Sequence, residues 1–266
     1  MRSWTLRRDG VSLAVAEWGE PGWPPAVLAH GVGSHREFVA ACYAGSLRAQ
    51  RWRLVAFDLR GHARSTALAD PAAHALAEHA ADLAAVADDV GARVAGGISL
   101  GAHAAALLAC SRPLDGLLLS LPGWLGEAPE VATTNAATAD ELEAVGVAGA
   151  LERMAADSTA QRWVVDEVRA SWTRHSPASL VAALRATAVT AAPTAAALSR
   201  VSAPTGVVGL TDDPAHPWSA AQAYAAALPH AVLAATSLAE MAADRAALGH
   251  AAITAWVQAK TRQQHG

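Results

Sequence analysis

Apolar positions along the chain follow two periods that take turns. "WTLRRDGVSLAVAEWG" holds two short alternating runs around Asp9-Gly10, a dipeptide that favours a tight antiparallel hairpin because glycine accepts positive φ. After the Pro-Gly-rich "EPGWPP", the apolar run "AVLAH" (26 to 30) leads into a glycine-containing loop and a helical stretch from about Arg36 to Gln50. "RLVAFD" (53 to 58) reads as the next buried strand, and "AHALAEHAADLAAVADDV" as a helix with its polar residues on one stripe. "RVAGGIS" (93 to 99), the helix "LGAHAAALLAC" and the strand "DGLLLSLP" (115 to 122) continue the rhythm. This alternation predicts an α/β fold, a mostly parallel sheet opened by an antiparallel hairpin, with helices on both faces.

From Gly123 to about Arg200 the rhythm stops. Helical segments follow one another instead: "ADELEAVGVAGALERMAAD", "AQRWVVDEVRASWTRH", "PASLVAALRATAV" and "PTAAALSR". Strand and helix resume with "PTGVVGL", "AAQAYAAAL" and "AVLAAT", and a closing helix is expected from about Asp244 to Lys260. The expected organisation is a core of residues 1–122 and 201–266 with a helical lid over 123–200. An insertion at the carboxyl end of a strand lies where open α/β sheets bind ligands. Trp124, Trp163, Trp172 and Trp218 fall in or beside that region as candidates for an apolar pocket wall.

The 266 residues are 53% hydrophobic with a formal net charge of -4, enough to bury one large core with an insertion. Without a block of like charge, neither nucleic acid nor an anionic membrane surface is an expected partner, which leaves a small molecule. No apolar run approaches the roughly 18 residues of a membrane span, and the amino terminus has no apolar core of signal-peptide length. Together with only two cysteines, Cys42 and Cys110, this favours a cytoplasmic protein over a disulfide-stapled secreted one. The oligomeric state is open. Histidines and cysteines do not fall in metal-ligand spacing and no phosphate-cradling glycine loop is present, so no metal or cofactor is expected.

Chemistry concentrates at Gly97-Ile98-Ser99-Leu100-Gly101, a G-x-S-x-G pattern between a predicted strand and a predicted helix. Small residues flanking the serine permit a turn tight enough to expose its hydroxyl at the positive end of the helix. "LAHGVG" (28 to 33) and "FDLRGHARS" (57 to 65) follow two earlier strands. With these three motifs in order, the sequence resembles the α/β-hydrolase superfamily over nearly its whole length. The resemblance implies Ser99 as nucleophile and the backbone N–H groups of Val32 and Leu100 as an oxyanion hole. It implies structural roles for His30 and His62. It also implies an acid after a late strand, where "VVGLTDDPAHPW" (207 to 218) offers Asp213, with Asp212 as the alternative.

The superfamily's base follows the last strand, usually as Gly-His. Counting back from "RAALGHAAITAWV", that position holds Leu238-Ala239, followed by Glu240. The usual base is absent together with its glycine. Four histidines are candidates for a substitute. His216 is three residues after Asp213, close in sequence for a side chain that must turn back. His103 is one helical turn beyond Ser99, His35 is on the oxyanion loop, and His175 is near a solvated helix end in the lid. The leading expectation is a serine hydrolase acting on an ester or related acyl compound through Ser99, weak if no substitute base reaches it. The alternatives are a small-molecule-binding protein with little or no catalysis, and cofactor-free lyase or isomerase chemistry on the same fold.

Overall fold

Asp9 and Gly10 both adopt positive φ (47° and 80°). They form the two-residue turn between β1 (Arg2–Arg8) and β2 (Val11–Trp18), which pair antiparallel with Arg8 opposite Val11. Two positive-φ residues twist such a turn in the same sense as its strands. The chain continues through β3 (Pro25–Ala29), α1 (Arg36–Ala49), β4 (Arg53–Phe57), α2 (Leu76–Val90), β5 (Val94–Ile98), α3 (Leu100–Ser111) and β6 (Gly116–Ser120). It ends with β7 (Thr205–Leu210), α8 (Trp218–Ala227), β8 (Ala231–Thr236), α9 (Leu238–Ala243) and α10 (Ala246–His265). This computed structural model describes residues 1–128, 133–157 and 161–265.

Among the described residues eight strands form one sheet in the order β1-β2-β4-β3-β5-β6-β7-β8, antiparallel across β1, β2 and β4 and parallel from β4 to β8. Every residue of β5, β6 and β7 is buried, as expected of short unbroken apolar runs covered on both faces. On one face α1 and α10 pack Tyr43, Leu47, Leu248 and Trp256 over Leu28, Leu54 and Leu118. On the other, α2, α3 and α8 pack Leu83, Leu108 and Tyr224 over Val27, Phe57 and Leu117. The closing helix begins later than its periodicity suggests, at Ala246, whose N–H donates to Asp244 Oδ1 at 2.9 Å, and it runs on to His265.

Between β6 and β7 the chain forms α4 (Thr133–Ala156), α5 (Arg162–Trp172), α6 (Pro177–Ala188) and α7 (Ala195–Leu198). The 123–200 region also includes residues 129–132 and 158–160, outside the described residues. The stretch read as one helix, "ADELEAVGVAGALERMAAD", is broken at Gly146 (φ 68°, ψ 174°), a conformation glycine adopts without Cβ strain. These helices share an apolar cluster that includes Leu142, Leu151, Trp172, Leu180 and Leu184. Ser179 ties α6 to the loop after β4, donating to the Gly61 carbonyl at 2.6 Å and accepting from the Leu68 N–H at 2.9 Å. Among the described residues no helix is long and apolar enough to cross a membrane.

Trp256 on α10 is 1% exposed and fills the space above Gly116 of β6, where a Cβ would lie 2.3 Å from its indole nitrogen. Its ring meets Trp52 edge-on, with centroids 5.3 Å apart. Trp256→Ala should lower unfolding stability by about 3–5 kcal/mol, read from urea midpoints, through lost burial and the cavity left behind.

Candidate active site

Ser99 occupies the corner between β5 and α3 with φ 54° and ψ -115°, a conformation costly for a residue with a Cβ and held only by its surroundings. The two glycines of the motif explain how the corner closes. A Cβ on Gly97 would lie 2.4 Å from the backbone carbon of Gly101, and one on Gly101 would lie 2.3 Å from the Ala29 carbonyl oxygen. Only glycine lets β3, β5 and the first turn of α3 approach this closely. Val32 and Leu100 line the cavity beside Ser99, and their backbone N–H groups donate to no acceptor among the described residues.

Beyond β7 the chain turns back on itself. The Asp213 carboxylate accepts from the Ala215 N–H through Oδ1 at 2.9 Å and from His216 Nδ1–H through Oδ2 at 2.7 Å. The first bond is an Asx turn, for which Asp followed by Pro214 is well suited. The turn directs His216 Nε2 to 2.9 Å from Ser99 Oγ. With Nδ1 protonated and facing a carboxylate, Nε2 is the accepting nitrogen and the serine hydroxyl the donor, a tautomer assigned from the hydrogen-bond network. Burial pushes the Asp213 carboxyl up, but the hydrogen bond and charge of His216 and the backbone N–H groups of Ala215 and His216 outweigh it, holding the group below the ordinary 3.8.

The short spacing that counted against His216 is therefore overcome by the Asx turn. A legible signal was present: an Asp-Pro-x-His-Pro segment at a strand end specifies a tight turn. The remaining candidates are engaged elsewhere. Asp212 is exposed and accepts from the Leu238 N–H at 2.6 Å, which ties the β7 loop to the start of α9. His103 accepts from the Gly123 N–H at 3.3 Å and donates to the Tyr224 hydroxyl at 2.8 Å. Burial, with the nearby His216, lowers its pKa to about 3. His35 caps α1, its Nδ1 accepting from the Phe38 N–H at 3.2 Å. His175 is buried, not solvated, with its ring 5.1 Å from that of His62. Leu238 occupies the wall where the usual base was sought, and the preceding residue, Ser237, caps α9.

Ser99 and His216 open into a cavity of about 550 Å³ between the carboxyl ends of the central strands and α4, α5 and α6. Its wall is mainly apolar, including Val32, Trp124, Met154, Trp163, Trp172 and Met241. Trp218 is not on this wall; it packs beside Gly209, where a Cβ would lie 2.7 Å from its ring.

A profile of the alpha/beta hydrolase family matches residues 26–255. The chain belongs to the alpha/beta hydrolase family. Solved structures of the same fold include a hydrolase from Pseudomonas aeruginosa PA01 (24% identity, TM-score 0.76, covering 96% of this chain and 98% of that one). The enol-lactonase from Burkholderia xenovorans LB400 has 18% identity and a TM-score of 0.73, covering 98% and 97%. A thermophilic esterase from Thermogutta terrifontis has 23% identity and a TM-score of 0.72, covering 100% and 96%.

In this alpha/beta hydrolase, neutral histidines brace the loop that carries Val32. His62 Nε2 accepts from the Gly33 N–H at 3.1 Å while Nδ1–H donates to the Arg60 carbonyl at 2.8 Å. His30 Nε2 accepts from the Leu59 N–H at 2.9 Å, and its Nδ1–H donates to the Gly31 carbonyl at 2.7 Å. Around His62 stand His74, His79 and His175, all buried. Burial lowers the pKa of each of these five, for His79 to about 3. Such groups take up protons more readily when unfolded. Their stabilisation is intact above the ordinary 6.5 and lost as pH falls below it. Each fully neutral histidine costs ~1.4 kcal/mol per pH unit in that window. Melting temperature should therefore fall steeply from pH 7 to pH 5. His79→Leu, which removes a ring with two unpartnered nitrogens among the described residues, should make that fall shallower in scanning calorimetry.

Proposed function

We propose that the chain is a serine hydrolase of an ester or related acyl compound, with Ser99 as nucleophile, His216 as base and Asp213 as the group that orients it. The reading rests on one observation, the unbroken hydrogen-bond chain from Ser99 Oγ through His216 to Asp213 at 2.9 and 2.7 Å. Ser99 Oγ attacks the acyl carbon as its proton passes to His216 Nε2. The imidazolium that forms is stabilised by the ionised Asp213. Charge on the carbonyl oxygen is met by the free N–H groups of Val32 and Leu100. His216 then returns the proton to the departing alcohol or thiol, and water repeats the sequence to release the acid. With His216 within hydrogen-bond reach of Ser99, the condition set for weak turnover, that no substitute base reaches the serine, is not met, and ordinary serine-hydrolase turnover is expected.

Steady-state hydrolysis of short p-nitrophenyl esters should fall on the order of 10⁶ in kcat for Ser99→Ala and for His216→Ala, and about 10⁴ for Asp213→Asn. A fluorophosphonate probe should label Ser99 rapidly in the unaltered protein and slowly in His216→Ala. Turnover that survives Ser99→Ala, or a His216→Ala protein within a few-fold of the parent, would sink this reading.

A further inference from the structure

The wall of the cavity that faces away from the sheet carries a charge that the hydrolytic chain of groups does not use. Glu167, on α5, lines the cavity among apolar neighbours. Its carboxylate makes no hydrogen bond among the described residues, and its one ion-pair contact there is His35 Nε2 at 3.9 Å, beyond hydrogen-bond reach. His35 Nδ1 accepts from Phe38 N–H at 3.2 Å and lies 3.3 Å from Glu37 Oε2, while its Nε2 faces Glu167 without reaching it. His35 Nε2 and the Ser34 hydroxyl are buried without hydrogen-bond partners among the described residues, so neither compensates Glu167. The two cations that influence Glu167 are engaged elsewhere. Arg174 Nε donates to the Ala170 carbonyl at 2.9 Å, and the Arg245 guanidinium stacks 3.9 Å over the Trp163 ring. Burial raises the Glu167 carboxyl above its ordinary 4.5, offset only in part by Arg245 and Arg174.

The Glu167 side chain is 28% exposed; a ligand that covers its carboxylate without donating to it leaves a desolvated charge unpaired, and one that donates avoids that cost. We infer that Glu167 forms a polar subsite selecting substrates whose chain, remote from the reacting carbonyl, ends in a hydrogen-bond donor such as a hydroxyl or ammonium group. This rests on the hydrolase reading for its placement in a substrate pocket, but the selection is a binding property measurable without turnover. An acceptor-only or apolar terminus leaves Glu167 unpaired and is disfavoured.

The test uses the Ser99→Ala protein, in which esters bind without being consumed, and calorimetric titration of straight-chain ethyl esters matched in length and ending in methyl, hydroxyl or ammonium. Donor-ended esters should bind about 10- to 100-fold tighter than their methyl-ended counterparts, the range expected for a hydrogen bond to a charged group. That ratio should fall to near one in Ser99→Ala/Glu167→Leu. Glu167→Gln distinguishes the two termini: a preference for hydroxyl survives through the amide carbonyl, whereas a preference for ammonium is lost. Glu167→Leu should also leave the thermal midpoint unchanged or raise it. A preference that persists in Glu167→Leu, equal or tighter binding of the methyl-ended esters, no measurable binding of any of them, or a clear drop in midpoint overturns the subsite. Fluorophosphonate labelling of the unaltered protein is scored separately, so a failure of the hydrolase reading is seen as absent labelling at Ser99 whatever the binding ratio.

Discussion

The Asp213 carboxylate holds two hydrogen bonds of different purpose at once, and the arrangement of the candidate site depends on both. One oxygen closes the turn onto Ala215, and the other fixes the imidazole of His216. Without the turn, a histidine three residues from its carboxylate has no reason to point at Ser99. Without the imidazole bond, the ring is free to rotate away. Pro217 begins α8 immediately afterwards as its N-cap residue, so the segment is confined between β7 and a helix and has little conformational freedom to lose when it orders.

Strain and unpaired polar groups collect at this end of the sheet. Ser99 is held at positive φ, the histidines behind the Val32 loop are kept neutral by burial, and a carboxylate stands without a partner. The centre of the sheet meets the rules of the fold: β5, β6 and β7 are wholly buried, with helices on both faces and apolar clusters that fill the space between them. The well-packed sheet supplies the stability that these costs draw down, a distribution expected where function sets the local conformation.

The sheet, its opening hairpin and the serine corner were legible in the sequence because each depends on local rules. Period-two and unbroken apolar runs mark strands, Asp9-Gly10 marks a two-residue turn, and Gly97 and Gly101 mark a close approach. The partner of Ser99 was less legible because it depends on a distance across 117 residues of chain and on a turn whose side-chain hydrogen bond spacing alone does not reveal. His216 stood among four candidates with nothing in periodicity to prefer it. The burial of His175 is not legible in the residues around it, because it comes from packing against His62, more than a hundred residues away in sequence. The break at Gly146 was missed because abundant alanine blurs which face of a helix is buried. Glu167 carried no motif at all; its interest arises only from what fails to reach it.

Placing imidazole and carboxylate on one four-residue segment changes how this corner of the molecule fluctuates. Because Asp213 and His216 share one turn, any displacement of that segment moves ring and carboxylate together and bears chiefly on the contact to Ser99. Reassembly then requires a single encounter rather than the simultaneous return of two independent loops. The connection from β8 to α9 contributes Leu238 to the cavity wall, a place where, on the proposed reading, side-chain size and shape bear on which molecules fit and not on proton transfer.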